Sequence, residues 1–228
     1  MLLAIDSATQ MISIALHNGG EVLFEQTWRS VNRHTVELGP AVAAALARHQ
    51  EEALSAVAVV TGPGTYTGLR VGVSFAKAVA AGRRVPLVGV GTLDITAAGQ
   101  PNFNGNLIAF ANAGRSRIVA GLYQWRKGRW RARTEPVPTD WESLLETFEG
   151  PTLIAGELDT DTRERLELAR AGGVPLTLAP PAWCVRRASF LADEAWQRLQ
   201  ATTLADEGDD RFDPALVTPV YVKTKDSP

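Results

Sequence analysis

Apolar residues along the first hundred positions of this chain switch between two periods. Leu2 to Ile5 is a short apolar run that ends at Asp6, and Met11 to Leu16 alternates, with Ile12, Ile14 and Leu16 on one face. Asn18-Gly19-Gly20 supplies a hairpin turn, so Glu21 to Trp28 reads as a returning third strand. From Thr35 to Arg48 the spacing lengthens to that of a helix, with Leu38, Val42, Ala45 and Leu46 on one side. Pro40 falls inside that stretch and suits a first turn or a kink. Ala56 to Val60 is an unbroken apolar run, Gly68 to Ala81 a helix of small residues, and Pro86 to Val90 a further strand. The order is β-β-β-α-β-α-β. The later runs are apolar enough to lie centrally in a sheet covered on both faces.

A loop-like composition from Gly99 to Gly105 marks the expected domain boundary. A similar series follows: Asn106 to Ala111 and Ile118 to Trp125 as strands, a turn at Lys127-Gly128, and Arg129 to Thr134 as a strand. Asp140 to Phe148 reads as a helix, Thr152 to Ala155 as a strand, Asp161 to Ala171 as a helix, and Leu176 to Leu178 as a short strand. Cys184 to Leu199 is a long helix, Asp206 to Asp213 an acidic loop, and Thr218 to Lys223 extended. The second half echoes the element order of the first without a residue-level repeat. The expected domains are residues 1–103 and 104–228, with the last helix and tail packing back on the first.

At 228 residues, 45% of them hydrophobic, the chain can build a packed core. The net charge of −2 gives no global pull toward nucleic acid or anionic lipid. A single cysteine, Cys184, rules out an intrachain disulfide, and no apolar run reaches the roughly 20 residues of a membrane span. Asp6 interrupts the first apolar residues, so no signal peptide is read, and a cytoplasmic protein is expected. No pair among His17, His34 and His49 has the i, i+4 spacing of a helical metal site.

Chemistry concentrates in Thr61-Gly62-Pro63-Gly64-Thr65-Tyr66-Thr67-Gly68-Leu69-Arg70, between an apolar strand and a small-residue helix. Leu69 stands where a Walker loop needs lysine, and Thr67 where a dinucleotide fingerprint needs its third glycine. The residues alone leave a ligand-free strand-to-helix turn or an anion cradle of helix N–H groups. Asp6-Ser7-Ala8-Thr9 likewise reads as a self-bonded polar turn or as a phosphate loop holding a Mg²⁺-bound phosphate through Asp6, Ser7 and Thr9. Gly72, Ala76 and Ala80 repeat at i, i+4 and leave one helix groove nearly bare, with Val73 and Lys77 beside it. That groove could seat the chain's own sheet or a partner's helices. Arg115, Arg117, Arg126, Lys127, Arg129, Arg131 and Arg133 form a stripe without an acid among them, either a solvated hairpin face or a contact for an RNA backbone. No Gly-x-Ser-x-Gly elbow occurs; Cys184 reads as structural, and Asp159 and Asp161 as caps of the next helix.

The Thr61 to Gly72 run, with Ile5-Asp6-Ser7-Ala8-Thr9 and Pro86-Leu87-Val88-Gly89-Val90-Gly91-Thr92-Leu93, resembles the bacterial TsaB (YeaZ) family. Arg33 to Pro40 is similar to that family's first helix, and Pro219 to Lys223 to its C-terminal ending. The resemblance implies an α/β, actin-like ATPase (ASKHA, ribonuclease H-like) fold of two similar subdomains, each with a mixed sheet flanked by helices. It implies a non-catalytic dimerisation and activating subunit of the system that makes threonylcarbamoyladenosine (t6A) beside the tRNA anticodon. The implied partners are the paralogue TsaD, which carries the metal and the transfer chemistry, and the small ATPase TsaE. A homodimer is expected when the chain is alone, and tRNA through the complex; no cofactor, metal or membrane is expected. The partner-facing residues are expected to be Leu38, Val42, Ala45, Leu69, Gly72, Val73, Ala76, Lys77 and Ala80. The family-motif loop is Gly62, Pro63, Gly64, Thr65, Thr67 and Gly68. Departures stand beside the match. Leu38 follows His34 at i+4, where the catalytic paralogue has a second histidine, and the family's Asp-Ala-Arg turn reads Asn112-Ala113-Gly114-Arg115. A stand-alone actin-fold kinase or ATPase and an inactive metallopeptidase homologue are the alternatives.

Overall fold

The computed structural model describes residues 1–113, 117–203 and 210–221. Those residues divide into two compact units: Met1–Ile95 with Arg186–Tyr221, and Thr96–Val185. The second unit is thus an insertion rather than a C-terminal half.

The first unit opens with strands β1 (Leu2–Asp6), β2 (Met11–His17) and β3 (Val22–Arg29), then helix α1 (His34–Arg48). Strand β4 (Ala56–Gly62), helix α2 (Tyr66–Arg83) and strand β5 (Leu87–Gly91) follow, and helix α3 (Thr92–Ala98) spans the boundary between the units at Ile95. The sheet order is β3-β2-β1-β4-β5, with β1 antiparallel to β2 and parallel to β4. Alternation within the buried strands sends side chains to two separate cores. Leu3, Ile5, Ile14, Val57 and Val59 meet Leu38, Val42 and Ala45 of α1 and Val73, Ala76 and Ala80 of α2. Leu2, Ala4, Ala15, Ala58 and Val60 face the other way, against Ala188, Leu191, Ala192 and Ala195.

The second unit carries β6 (Asn106–Asn112), β7 (Arg117–Arg126), β8 (Arg129–Ala132), β9 (Val137–Asp140), α4 (Trp141–Leu145), β10 (Thr152–Ala155), α5 (Thr160–Ala171), β11 (Leu176–Leu178) and α6 (Pro181–Cys184). Helix α7 (Ala188–Thr203) and a 3-10 turn, Asp210–Phe212, belong to the first unit. The second sheet runs β11-β10-β6-β7-β8, with β9 also on β7. Counted from each unit's first strand, it repeats the order of the first sheet: two antiparallel neighbours on one side, two parallel on the other. This is the actin-like arrangement, present twice. Phe110 and Trp141 pack edge to face at 4.8 Å in its core, beside Ile108, Ile118, Ile154 and Leu166.

Three short elements escape the hydrophobic pattern: α3, β9 and α6. The long C-terminal helix begins at Ala188 instead of Cys184, which ends α6. Its start is fixed by side chains from the sheet. Ser13 Oγ accepts the Ala188 N–H at 2.8 Å, and Glu25 accepts the Ser189 N–H at 2.9 Å. The expected acidic loop falls partly, and Gly114, Arg115, Val222 and Lys223 wholly, outside the described residues.

Candidate functional site

The glycine-proline run is where β4 ends and α2 begins. Gly62 is the last strand residue, Pro63 is buried in the turn, and Thr65 is the N-cap of α2, its Oγ1 accepting the Gly68 N–H at 3.2 Å. A threonine hydroxyl there satisfies one of the unpaired amides of the first turn. Tyr66 to Arg70 are therefore helical, and Thr67 is exposed in the first turn.

The glycines of this run have a partner, and it is the chain's own β1–β2 turn. A Cβ at Gly68 would fall on the Ser7 carbonyl oxygen, one at Gly72 on Ser7 Oγ, and one at Gly64 on the Ala8 carbonyl oxygen. The bare flank of α2 is the seat of Ser7 and Ala8. Hydrogen bonds close the seat: Thr65 N–H donates to Ala8 O at 2.7 Å, and Ser7 Oγ donates to Gly68 O at 2.9 Å.

Every side chain of the Asp6-Ser7-Ala8-Thr9 turn that could serve a phosphate or a metal is engaged in this way. Asp6 Oδ1 accepts the Ala8 N–H at 3.0 Å, and Oδ2 accepts Arg186 Nε at 2.9 Å. Arg186 Nη2 donates to Thr9 Oγ1 at 2.8 Å. Both members of the ion pair are buried, with side-chain exposures of 3% and 1%. Adjacent to them, His34 Nε2 lies 2.7 Å from the Thr9 carbonyl oxygen. The actin-like fold implies a Mg²⁺-nucleotide at this turn, and the residues do not fit one. A Mg²⁺-bound phosphate needs a carboxylate and hydroxyls open to it, whereas here a guanidinium takes the cation's place. Sequence reasoning missed Arg186 because it lies 180 residues from Asp6 and no local pattern marks it.

The expected partner-facing residues divide sharply. Leu38, Val42, Ala45, Leu69, Gly72, Val73, Ala76 and Ala80 are all buried, packed on the sheet or on the β1–β2 turn. They are not an exposed face. Gly68, Gly72, Ala76 and Ala80 mark the inner side of α2, where the β1–β2 turn and the sheet approach closely. Lys77 is half-buried, and its Nζ donates to Ala215 O at 3.1 Å. The outward side of the same helices carries a second set. Gly39, Ala43, Leu46, Phe75, Ala78, Val79 and Gly82 line an apolar groove of about 330 Å³ between α1 and α2, floored by Val42 and flanked by Arg83. A Cβ added at Gly82 meets nothing within 4 Å.

The remaining candidates are local. Asp159 caps α5, Oδ1 accepting the Thr162 N–H at 2.8 Å, and these bonds hold its carboxyl below the ordinary aspartate range. Cys184 Sγ contacts Ala179 O at 3.6 Å, and burial pushes its thiol upward, opposed by a weaker backbone bond from Gly156.

Residues 24–155 match the family model described as "TsaD: tRNA N6-adenosine threonylcarbamoyltransferase". The tRNA threonylcarbamoyladenosine biosynthesis protein TsaB of Bacillus subtilis is 31% identical over 173 residues, 72% of this chain and 74% of that protein. The Escherichia coli protein of the same name is 35% identical over 129 residues, 54% of each. The solved structure of YeaZ from Pseudomonas aeruginosa superposes with a TM-score of 0.70 at 21% identity, covering 97% of this chain and 99% of that one.

Proposed function

The chain belongs to the TsaB family of tRNA threonylcarbamoyladenosine biosynthesis proteins, and from that membership we propose that it acts there without chemistry of its own. It is the dimerisation and activating subunit that pairs with a TsaD-type transferase, joins TsaE in the complex, and meets tRNA through that assembly in the cytoplasm. No described helix is long and apolar enough to cross a membrane. The non-catalytic reading is carried by one observation: Arg186 engages Asp6 and Thr9 in the turn where an actin-like enzyme would hold its nucleotide phosphate. A chain so closed needs no cofactor.

The partner surface is the outward groove of α1 and α2. Its supports are its apolar lining and its open space at Gly82. An apolar groove between two helices suits the helices of a structurally similar partner, and self-pairing uses the same groove when TsaD is absent. Co-expression with tagged TsaD tests the pairing. Gly82→Glu and Ala78→Glu place a charge in the groove without touching the core, and each is expected to abolish co-purification while the chain stays folded. Undiminished complex formation by both variants would reject this surface. Heat on mixing the isolated chain with Mg-ATP would reject the nucleotide-free reading.

A further inference from the structure

The hairpin of β7 and β8 collects cations in a way that neither the fold nor the proposed pairing requires. No Asp or Glu stands between Asp94 and Glu135, in a chain that otherwise carries 25 acids. The turn is Lys127-Gly128, both at positive φ (50° and 81°), the two-residue geometry that keeps paired strands in tight register. The register sets Gln124 opposite Arg131, Trp125 opposite Trp130 and Arg126 opposite Arg129.

Directly opposed residues point to the same face of a sheet, and their neighbours to the other. One face of the hairpin therefore carries Gln124, Arg126, Arg129 and Arg131. The opposite face carries Trp125 and Trp130, whose rings meet edge to face at 5.4 Å. Trp130 is buried, and its Nε1 donates to the carbonyls of Gln100 and Pro101 at 3.2 and 3.3 Å. The aromatic face is thus the anchor, and the arginine face is held on a rigid platform. Arg126, Lys127, Arg131 and Arg133 are exposed. Along one strand the positions that carry them are about 7 Å apart, and opposed positions have Cβ atoms about 5 Å apart.

We infer that this hairpin is a contact for the phosphodiester backbone of structured RNA, made by this chain itself. Guanidinium forks match phosphate oxygens bidentately, and a run of them across two strands neutralises several phosphates at once. The tip, Arg126-Lys127-Gly128-Arg129, presents no apolar side chain to insert into a lipid surface, which sets RNA ahead of a membrane. Only the choice of tRNA as the RNA rests on the proposed function; the contact rests on the hairpin.

The test uses the full chain and an unmodified tRNA, with fluorescence anisotropy across a salt series. Binding is expected to weaken linearly in log–log form, by about 0.7–0.9 in slope for each phosphate contacted. The triple variant Lys127→Glu, Arg131→Glu, Arg133→Glu is expected to lower the slope by about 2–3 and the affinity at low salt by at least about tenfold. The double variant Arg131→Lys, Arg133→Lys keeps most of the slope, and Arg170→Glu, on α5, keeps all of it. Circular dichroism of each variant checks the fold. Unchanged affinity and slope in the folded triple variant, salt-insensitive binding, or capture by phosphatidylserine vesicles but not tRNA would each overturn the inference. TsaD co-purification is run on the same proteins. If TsaD pairing is absent while the triple variant still loses tRNA, the proposed function falls and this contact stands.

Discussion

Replacing Arg186 with methionine removes a buried cation and keeps much of its bulk. Arg186 and Asp6 are almost wholly enclosed, so the variant leaves the Asp6 carboxylate without its counter-charge and Thr9 Oγ1 without a donor. Breaking a buried pair from one side costs about 3–5 kcal/mol. For a chain of this size, each kcal/mol shifts the melting midpoint by roughly 2–4 °C, so the loss corresponds to roughly 6–20 °C. Asp6→Asn is the complementary single change. Its amide oxygen still accepts the Ala8 N–H that Asp6 now accepts at 3.0 Å, but it strands the guanidinium. The double variant carries neither charge, and it is expected to be more stable than the sum of the two losses by about 2–3 kcal/mol, within the range of contacting pairs. Urea unfolding followed by far-ultraviolet circular dichroism measures all four proteins. Additivity of the single losses to within about 0.5 kcal/mol would show that the two groups do not act together and that Arg186 does not serve as the counter-charge of Asp6.

Gly72→Ala puts a methyl group on Ser7 Oγ and is expected to cost about 1–3 kcal/mol, with Ser7→Ala in the same chain recovering part of it; thermal melts of the three variants decide this. Burial by itself raises the Glu25 carboxyl, but hydrogen bonds from Ser189 and the Arg187 guanidinium together outweigh it and hold it below the ordinary glutamate range. A depressed carboxyl contributes stability above its unfolded value, about 4.3, and loses it as pH falls through the folded one. Glu25→Gln is therefore expected to be less stable at pH 7 and to show a shallower acid loss, read from unfolding midpoints between pH 7 and pH 3. Cys184, buried and with its thiol pushed upward, is expected to resist iodoacetamide at pH 8 in the native chain and to react promptly in urea, as mass spectrometry would show.

The sheets were legible because their strands are simple. Unbroken runs such as Leu2 to Ile5 and Ala56 to Val60 are buried on both faces, and the alternation of Met11 to Leu16 comes from large Ile12, Ile14 and Leu16 interleaved with small Ser13 and Ala15 in a strand that is buried as well. Short elements were not legible, since a single helical turn at Pro181–Cys184 or four residues at Val137–Asp140 leave no period to read. The start of α7 at Ala188 was hidden for a different reason. Its first amides are satisfied by Ser13 and Glu25, more than 160 positions away, so no capping residue announces it locally.

The same distinction explains the site. Small residues at i, i+4, i+8 say that something approaches α2 closely, but not whether that something belongs to the same chain. Gly68 and Gly72 answer to Ser7, and Ala76 and Ala80 to the sheet, so the inner stripe is consumed by the fold. Gly82 continues the i, i+4 count beyond Ala78 on the outer side and meets nothing within 4 Å. A glycine with close contacts is explained by them; Gly82, in the last turn of α2, has none and costs up to the roughly 1 kcal/mol of an interior helix position for no internal return. Gly82 is therefore the position at which the two origins of a small-residue stripe can be separated by experiment. Gly82→Ala is expected to stabilise the isolated chain by up to roughly 0.5 kcal/mol. If the groove takes a partner's helix, the larger Gly82→Leu would gain similar stability yet lose the complex, measured by thermal melts and co-purification of the same preparations. A Gly82→Leu chain that melts higher and still binds TsaD fully would mean that the outer stripe serves no interface.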